Sequence, residues 1–453
     1  MTLFHRRLLY LFFMILFFII APFIVLYALG YRYDFKKRVL EQTGVLYLET
    51  KPKGVSVYLN NVLQKNVSPL RFSDLLANDY EVRVTKDGYN TWQKTVTIFP
   101  HQTTFVYDIN LFKKDIAPQL IQSGKKINNI LASPDHKKII ALISDQENNM
   151  QLNLALFDVN AKEIKNLGSI PFSNATSTLI WSLDSKRATL AFATESLFLI
   201  NTDEKKITPL TSLDKKLLNA RWSENVFSYL NFLDNGQLYQ VNTKDNSKEK
   251  LLNNKIADYL YLGQDLYCLE KLNSQVLLKK TNPPFFNEFK ILDSLPLSDN
   301  YQLSIVDLEK KIIAAHDQIN ELLYILDLTN EQSASQEVLA QAKKFELFNK
   351  NKILYANDFE IWTYDLLKKE KKLVTRSGKG IDTTTWYSTG HHVICSTKGE
   401  IKIIETESFS QNQTTKLTDF ENVNFLLPDT KGEFLFISGS YQGQNGLWQL
   451  EIQ

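Results

Sequence analysis

The sequence predicts an all-β soluble part behind one N-terminal transmembrane helix, arranged as a small β-sandwich followed by a β-propeller. Three observations predict it: an uncharged apolar run near the start, a block of short runs alternating apolar and polar, and a loose internal repeat over the rest. At 453 residues the chain has room for two or three domains. The boundaries read as 1–38 for a cytoplasmic stub, anchor and basic flank, 44–112 for the sandwich and 115–453 for the propeller.

From Leu8 to Gly30 no residue is charged, and a helix of that length covers the roughly 30 Å hydrocarbon core of a bilayer. Pro22 is tolerated where freed backbone groups find partners, and Tyr27, Tyr31 and Tyr33 suit the water interface at the far end. Ala28-Leu29-Gly30 loosely matches a signal-peptidase site, but the apolar run exceeds the roughly 7 to 15 residues of a signal peptide, so an uncleaved single-pass anchor is expected. Orientation has two indicators. Arg6 and Arg7 precede the span while Arg32, Lys36, Lys37 and Arg38 follow it, a local balance that mildly places the C-terminal side in the cytoplasm. A long following domain is translocated largely regardless of such charges, and the expectation is an extracytoplasmic body at the cell membrane.

Residues 45 to 111 hold the runs VLYLET, VSVYL, YEVRVTK and KTVTIF, whose period of two marks half-buried antiparallel strands. Asn60-Asn61, Ala77-Asn78-Asp79 and Asp87-Gly88 supply the turns between them. Four or five strands of this size make a small sandwich. The block resembles the PEGA domain of bacterial and archaeal surface and membrane proteins, through KPKGVSVYLNN, SPLRF in place of T-P-L, and LLANDYEVRVTKDGYNTWQKTVTI. Asn61 stands where that family has a hairpin glycine, and Asn78-Asp79 stand where it has Pro-Gly. Asn and Asp tolerate positive φ best among non-glycine residues, so both turns are expected to survive. Tyr80, Tyr89 and Trp92 are the candidate ligand or partner contacts, since exposed aromatic rings suit sugars and peptides. The competing reading makes Tyr89 and Trp92 core residues that close the sandwich.

After Lys114 the chain repeats with a period of about 40 residues, most clearly in LASPDHKKIIALIS and IWSLDSKRATLAFAT, each followed by a further strand and a polar turn. Such a unit is a four-stranded antiparallel sheet, and units of this size close into a ring because one alone cannot bury both faces. The chain ends at GLWQLEIQ, a third strand with no fourth after it. The missing outer strand is supplied by IAPQLIQSG, residues 116 to 124, so the N-terminal strand completes the last blade. With about eight outer-strand segments, eight blades are expected, with seven the alternative. The S-P-D-H-K and S-L-D-S-K turns are similar to the S-P-D-G-K repeats of WD40-like, TolB-type propellers, with His136 and Ser185 in the glycine place.

Chemistry is sparse. Lys+Arg of 52 against Asp+Glu of 50 leaves a net charge of +2, which excludes the basic field of a nucleic-acid binder. Cys268 and Cys395 follow no metal or redox spacing and read as buried free thiols. His391-His392 are neighbours on a strand and point to opposite faces, so they do not share a metal, and His101, His136 and His316 stand alone. Asp135, Asp184 and Asp429 sit where a hairpin needs a side-chain cap. GSYQGQNG precedes no helix and reads as a hairpin loop rather than a phosphate cradle, and LLKKEKKLV as a solvated turn. No G-x-S-x-G elbow and no sialidase-type box is present, and no cofactor is implied.

These features imply a membrane-anchored, non-enzymatic binding or scaffold protein that presents a propeller at the cell envelope, with envelope proteins or cell-surface glycans as partners. Two other readings stand beside it. A surface hydrolase of glycans or peptides would need raised carboxyl groups in the central pocket, and a purely structural envelope component would show a plugged channel.

Overall fold

In the computed structural model the residues from Leu3 onward are described, except 36, 65–69, 125, 145–150, 172–176, 193–196, 211–217, 224–227, 283–287, 331–333 and 407–411. Ser68 and Pro69 of the SPLRF stretch lie outside the described residues. The chain divides into two compact units, Met1–Asp115 with Glu407–Leu417 and Gln453, and Ile116–Thr406 with Thr418–Ile452.

The first unit opens with the helix Leu3–Ala28, which contains Pro22. Its stretch Arg6–Ala28 is long and apolar enough to cross a membrane, with a mean hydropathy of 2.9, and none of it is buried against the protein. Two four-stranded sheets follow. One holds Tyr31–Asp34, Val39–Lys51, Leu70–Leu76 and Thr103–Asn110, and the other Val62–Gln64, Ser56–Leu59, Asp79–Thr85 and Trp92–Thr97. Leu46, Leu48 and Val106 of one sheet and Val57, Val82, Val84 and Val96 of the other share one buried core, the inward half of each alternating run.

Two features differ from the expectation of four or five antiparallel strands. Eight strands form among the described residues, and Val39–Lys51 runs parallel to Thr103–Asn110, with Tyr47 opposite Phe105. Alternation tells which face a residue takes but carries no information on strand direction, which the long connection between these two strands decides. Asn60 and Asn61 both hold positive φ, 49° and 66°, so the hairpin keeps its geometry without glycine. The turn at Asn78 forms without a left-handed residue of its own; the nearest positive φ is 63° at Asp74.

The second unit is a ring of four-stranded antiparallel sheets. Seven are consecutive in sequence, spanning 126–171, 177–209, 218–252, 258–296, 301–340, 344–376 and 381–419. The eighth joins Asn422–Pro428, Phe434–Tyr441 and Gln444–Glu451 to Gln119–Ser123, with Trp448 opposite Leu120, so the N-terminal strand completes it. The first strands of neighbouring blades touch one another between blades one and two, two and three, four and five, six and seven, and seven and eight, which places them nearest the axis. The ring closes through a shared core in which Ile139, Ala141 and Phe157 of the first blade meet Leu427, Phe436 and Leu447 of the eighth.

Middle strands are buried on both faces, which explains apolar runs such as KIIALIS, whereas outer strands such as Glu163–Pro171 alternate. The hairpins that join first and second strands repeat one turn. His136 N donates to Ser133 O at 2.9 Å, Ser185 N to Ser182 O at 3.0 Å, Gly390 N to Tyr387 O at 2.9 Å and Gly432 N to Asp429 O at 3.1 Å. The donor residue has φ of 56°, 56°, 69° and 72° in the four cases, so His136 and Ser185 do occupy the glycine place of the repeat.

Candidate functional site

The propeller carries a cleft of about 390 Å³ lined by residues of its fifth, sixth and seventh blades. Gln302 lies on the first strand of blade five, Tyr301–Asp307, directly opposite His316 on the second strand, Ile312–Asp317. Glu346 lies on the first strand of blade six, Lys344–Phe348, opposite Leu354 on Lys352–Ala356. Gln318, Lys343, Lys344, Phe345 and Thr384 complete the lining. The lining runs from the turns at Gln318 and Lys343 along the first strands of blades five and six to Thr384 on the first strand of blade seven.

Glu346 is half-buried, and its Oε1 accepts from Thr385 Oγ1 at 3.1 Å and from Trp386 N at 3.4 Å. Desolvation pushes its carboxyl up to about 7, with the two hydrogen bonds pulling the other way. The carboxyl therefore changes charge near neutral pH. His316 is buried, with Nε2 2.6 Å from Ala342 O and its ring edge-on to Phe345 at 5.2 Å. A carbonyl only accepts, so Nε2 carries the proton, and burial holds the imidazole below its ordinary pKa and neutral at pH 7.

The rest of the lining is amide and cation. Asn300 Nδ2 donates to Gln318 Oε1 at 2.7 Å and Gln318 Nε2 to Gln302 Oε1 at 2.9 Å, a relay that leaves the amide protons of Gln302 at its end. Lys343 pairs with Asp358 at 2.7 Å, whereas Lys344 has no ion-pair partner among the described residues. Phe345 and Leu354 form the apolar wall. Donors, one cation and one carboxyl poised near neutrality suit a polar ligand with its own acceptors.

A second polar group joins three inner strands nearby in sequence. Arg221 Nη2 lies 2.7 Å from Asp258 Oδ2 and donates to Leu303 O at 2.9 Å, while Leu303 N donates to Asp258 Oδ2 at 2.6 Å. Asp258 is fully buried and its Oδ1 has no partner. Burial raises its pKa, against the pull of Arg221. This is a fastening between blades three, four and five rather than an open site.

The sandwich aromatics fall as follows. Trp92 is 4% exposed within the core, which leaves its ring no open face, and Tyr80 and Tyr89 are half-buried against the same core. Tyr80 donates its hydroxyl to Leu76 O at 3.1 Å. The aromatic face that is open lies elsewhere, in Tyr47, Phe105 and Tyr107, with ring centroids 5.2 to 5.9 Å apart. Phe105 and Tyr107 are exposed and Tyr47 is half-buried, and the parallel pairing of distant strands brings the three together.

Among the other candidates, Cys268 and Cys395 are buried, unbonded and pushed up to about 12 by burial. His392 begins a buried strand and His391 belongs to the turn before it. Among the described residues, no group of three His, Cys, Asp or Glu side chains is placed to hold a metal. Asp135 and Asp184 cap their turns by accepting from Ser133 Oγ at 2.6 Å and Ser182 Oγ at 2.5 Å, and Asp429 accepts from Phe434 N at 2.9 Å. GSYQGQNG is a two-residue hairpin turn with Gln442 and Gly443 at positive φ.

Residues 43–113 match the PEGA domain family. In structure the chain is similar to the Dos1 propeller, with a TM-score of 0.52, 12% identity and coverage of 74% of this chain and 95% of that one. It is also similar to the C-terminal WD40 domain of Sif2, with a TM-score of 0.49, 11% identity and coverage of 75% and 98%. At such identity the Dos1 likeness shows the propeller fold alone. No curated protein matches the chain in sequence.

Proposed function

We propose that the chain is a membrane-anchored, non-enzymatic binding or scaffold protein that presents its propeller at the cell envelope on a PEGA-type stalk. The observation that carries this reading is the helix Leu3–Ala28, uncharged from Leu8 onward and with none of its spanning stretch covered by protein, followed directly by the sandwich. Envelope proteins and cell-surface glycans are the partner classes, and the cleft around Glu346 is the contact region, because its mix of amide donors, Lys344 and an apolar wall suits polar ligands. Added protease on intact cells tests the topology. Loss of the propeller while a cytoplasmic control survives supports an extracytoplasmic body; protection until the membrane is permeabilised places the body and its partners inside.

A surface hydrolase is the second reading, and one observation favours it: a carboxyl raised to about 7 within a ligand-sized cleft. Against it, a glycosidase needs a second carboxyl facing the first, and the cleft lining contains Glu346 as its one acid among the described residues. Chromogenic glycosides and peptides offered to the wild type and to Glu346→Gln decide the matter. Turnover that the substitution abolishes would replace the binding reading.

A further inference from the structure

The hairpin that follows the apolar helix carries side chains that the sandwich leaves uncovered. Tyr31–Asp34 pairs with the start of Val39–Lys51, setting Tyr33 opposite Leu40 and Asp34 opposite Val39. Asp34 is buried and ties the turn: its Oδ1 accepts from Lys37 N at 3.2 Å and its carbonyl from Arg38 N at 2.8 Å. Around this buried acid the apolar side chains face outward, with Tyr33 48%, Phe35 84%, Val39 46% and Leu40 45% exposed. The Tyr33 and Phe35 rings meet edge to face at 5.2 Å. Tyr33, Phe35 and Leu40 make an exposed apolar patch on one face of the hairpin, Val39 is exposed on the other, and water alone disfavours both.

The hairpin is fastened to the helix end. Gly30 O accepts from both Thr43 N, at 2.9 Å, and Thr43 Oγ1, at 2.8 Å. The Arg32 guanidinium lies 3.6 Å above the Tyr27 ring and donates to Tyr27 O at 2.9 Å. Its charge, and that of Lys37, is compensated by Asp74 at 2.7 Å and Glu41 at 3.0 Å. The 26-residue helix is roughly 39 Å long, enough to cross the hydrocarbon core and end among the headgroups. A hairpin held within a few residues of that end has no linker with which to leave the interface.

We infer that the hairpin formed by Tyr31–Asp34 and the start of Val39–Lys51 rests in the headgroup layer of the bilayer that the helix spans, with Tyr33, Phe35, Val39 and Leu40 as its lipid-facing side chains. Aromatic rings partition to that layer, and compensated charges lower the cost of placing Arg32 and Lys37 beside it. The hairpin then sets the tilt of the stalk as a second, shallow anchor. The inference rests on the membrane-anchored reading.

The full chain is reconstituted into phosphatidylcholine vesicles with a nitroxide at Phe35→Cys or, separately, at Lys53→Cys, which lies just past the far end of Val39–Lys51, roughly 40 Å along that strand. Cys268 and Cys395, 0% and 1% exposed, stay unlabelled, and Phe35 is too exposed for its replacement to threaten folding. Flotation reads anchoring, and relaxation by oxygen against an aqueous nickel chelate reads depth. The expected result is a floating chain whose label at 35 favours oxygen at least severalfold over the label at 53. A floating chain with equal accessibilities at both sites overturns the hairpin inference and leaves the anchor standing. A label at 35 shielded from both reagents assigns the patch to a protein neighbour and also overturns it. A chain that fails to float overturns the anchored reading and this inference together.

Discussion

Replacing Glu346 with glutamine isolates the ionisation of one carboxyl in the cleft. The native carboxyl titrates near 7 instead of its ordinary 4.5, because desolvation disfavours the charged form. Between those two values the folded state holds a proton that the unfolded state has released, so stability falls as pH rises through the window and is level above it. The displacement from 4.5 to about 7 corresponds to roughly 3 kcal/mol, and partial exposure to solvent reduces this to about 2 kcal/mol. The side chain introduced by Glu346→Gln would keep an oxygen for the Thr385 and Trp386 donors without the charge. The variant should therefore match the wild type below about pH 4.5 and exceed it by about 2 kcal/mol above pH 7. For a unit of roughly 330 residues that difference moves the melting temperature by about 3 °C. Paired melting curves from pH 4 to 8, read as the difference between the two proteins, cancel every other titrating group. Parallel curves across the whole range would refute the assignment of a raised carboxyl to Glu346.

Four further tests address the ring. Arg221→Met strands the buried Asp258 carboxylate and should cost about 3 to 5 kcal/mol in chemical denaturation, a loss that the added Asp258→Leu largely restores; failure of the rescue would show that the pair acts otherwise. Gly399→Ala should lose more than about 3 kcal/mol, because φ is +82° and a Cβ would fall 1.9 Å from Phe420 O, so a variant within about 1 kcal/mol of wild type contradicts the local geometry. Trp181→Phe and Trp222→Phe each remove an indole donor to the preceding blade, to Leu131 O at 3.2 Å and Ile180 O at 3.3 Å, and should each cost about 1 kcal/mol by thermal unfolding. Replacing Gln119–Ser123 with a Gly-Ser linker uncovers the edge of Gln444–Glu451; hydrogen exchange should quicken there first, and unchanged protection would mean the closing strand is dispensable.

Much of the propeller was legible because its signals are local. An apolar run with polar ends names a middle strand, S-x-D-x-K names a turn, and the likeness of IAPQLIQSG to the outer strands names the segment that pairs with Gln444–Glu451. The same locality explains what was missed in the sandwich. Tyr47 lies far in sequence from Phe105 and Tyr107, and only pairing of Val39–Lys51 with Thr103–Asn110 makes them one surface. Tyr89 and Trp92 stand out through their family motif, and the structure places Trp92 inside the core.

The cleft was the least legible feature. Glu346 is one acid among many along the chain, and nothing in KKFELFNK distinguishes it from a solvated neighbour. Its raised pKa comes from desolvation within the ring, which outweighs the lowering pull of the donors at Thr385 and Trp386, one blade further on. Composition and periodicity by themselves determined the apolar helix, the two all-β units and the closing strand, because hydrophobic spacing dictates which local elements can bury a face. Tertiary structure alone decided strand direction in the sandwich, the exposed aromatic faces and the chemistry of the cleft. Those depend on which distant strands meet, and on how much water the meeting excludes.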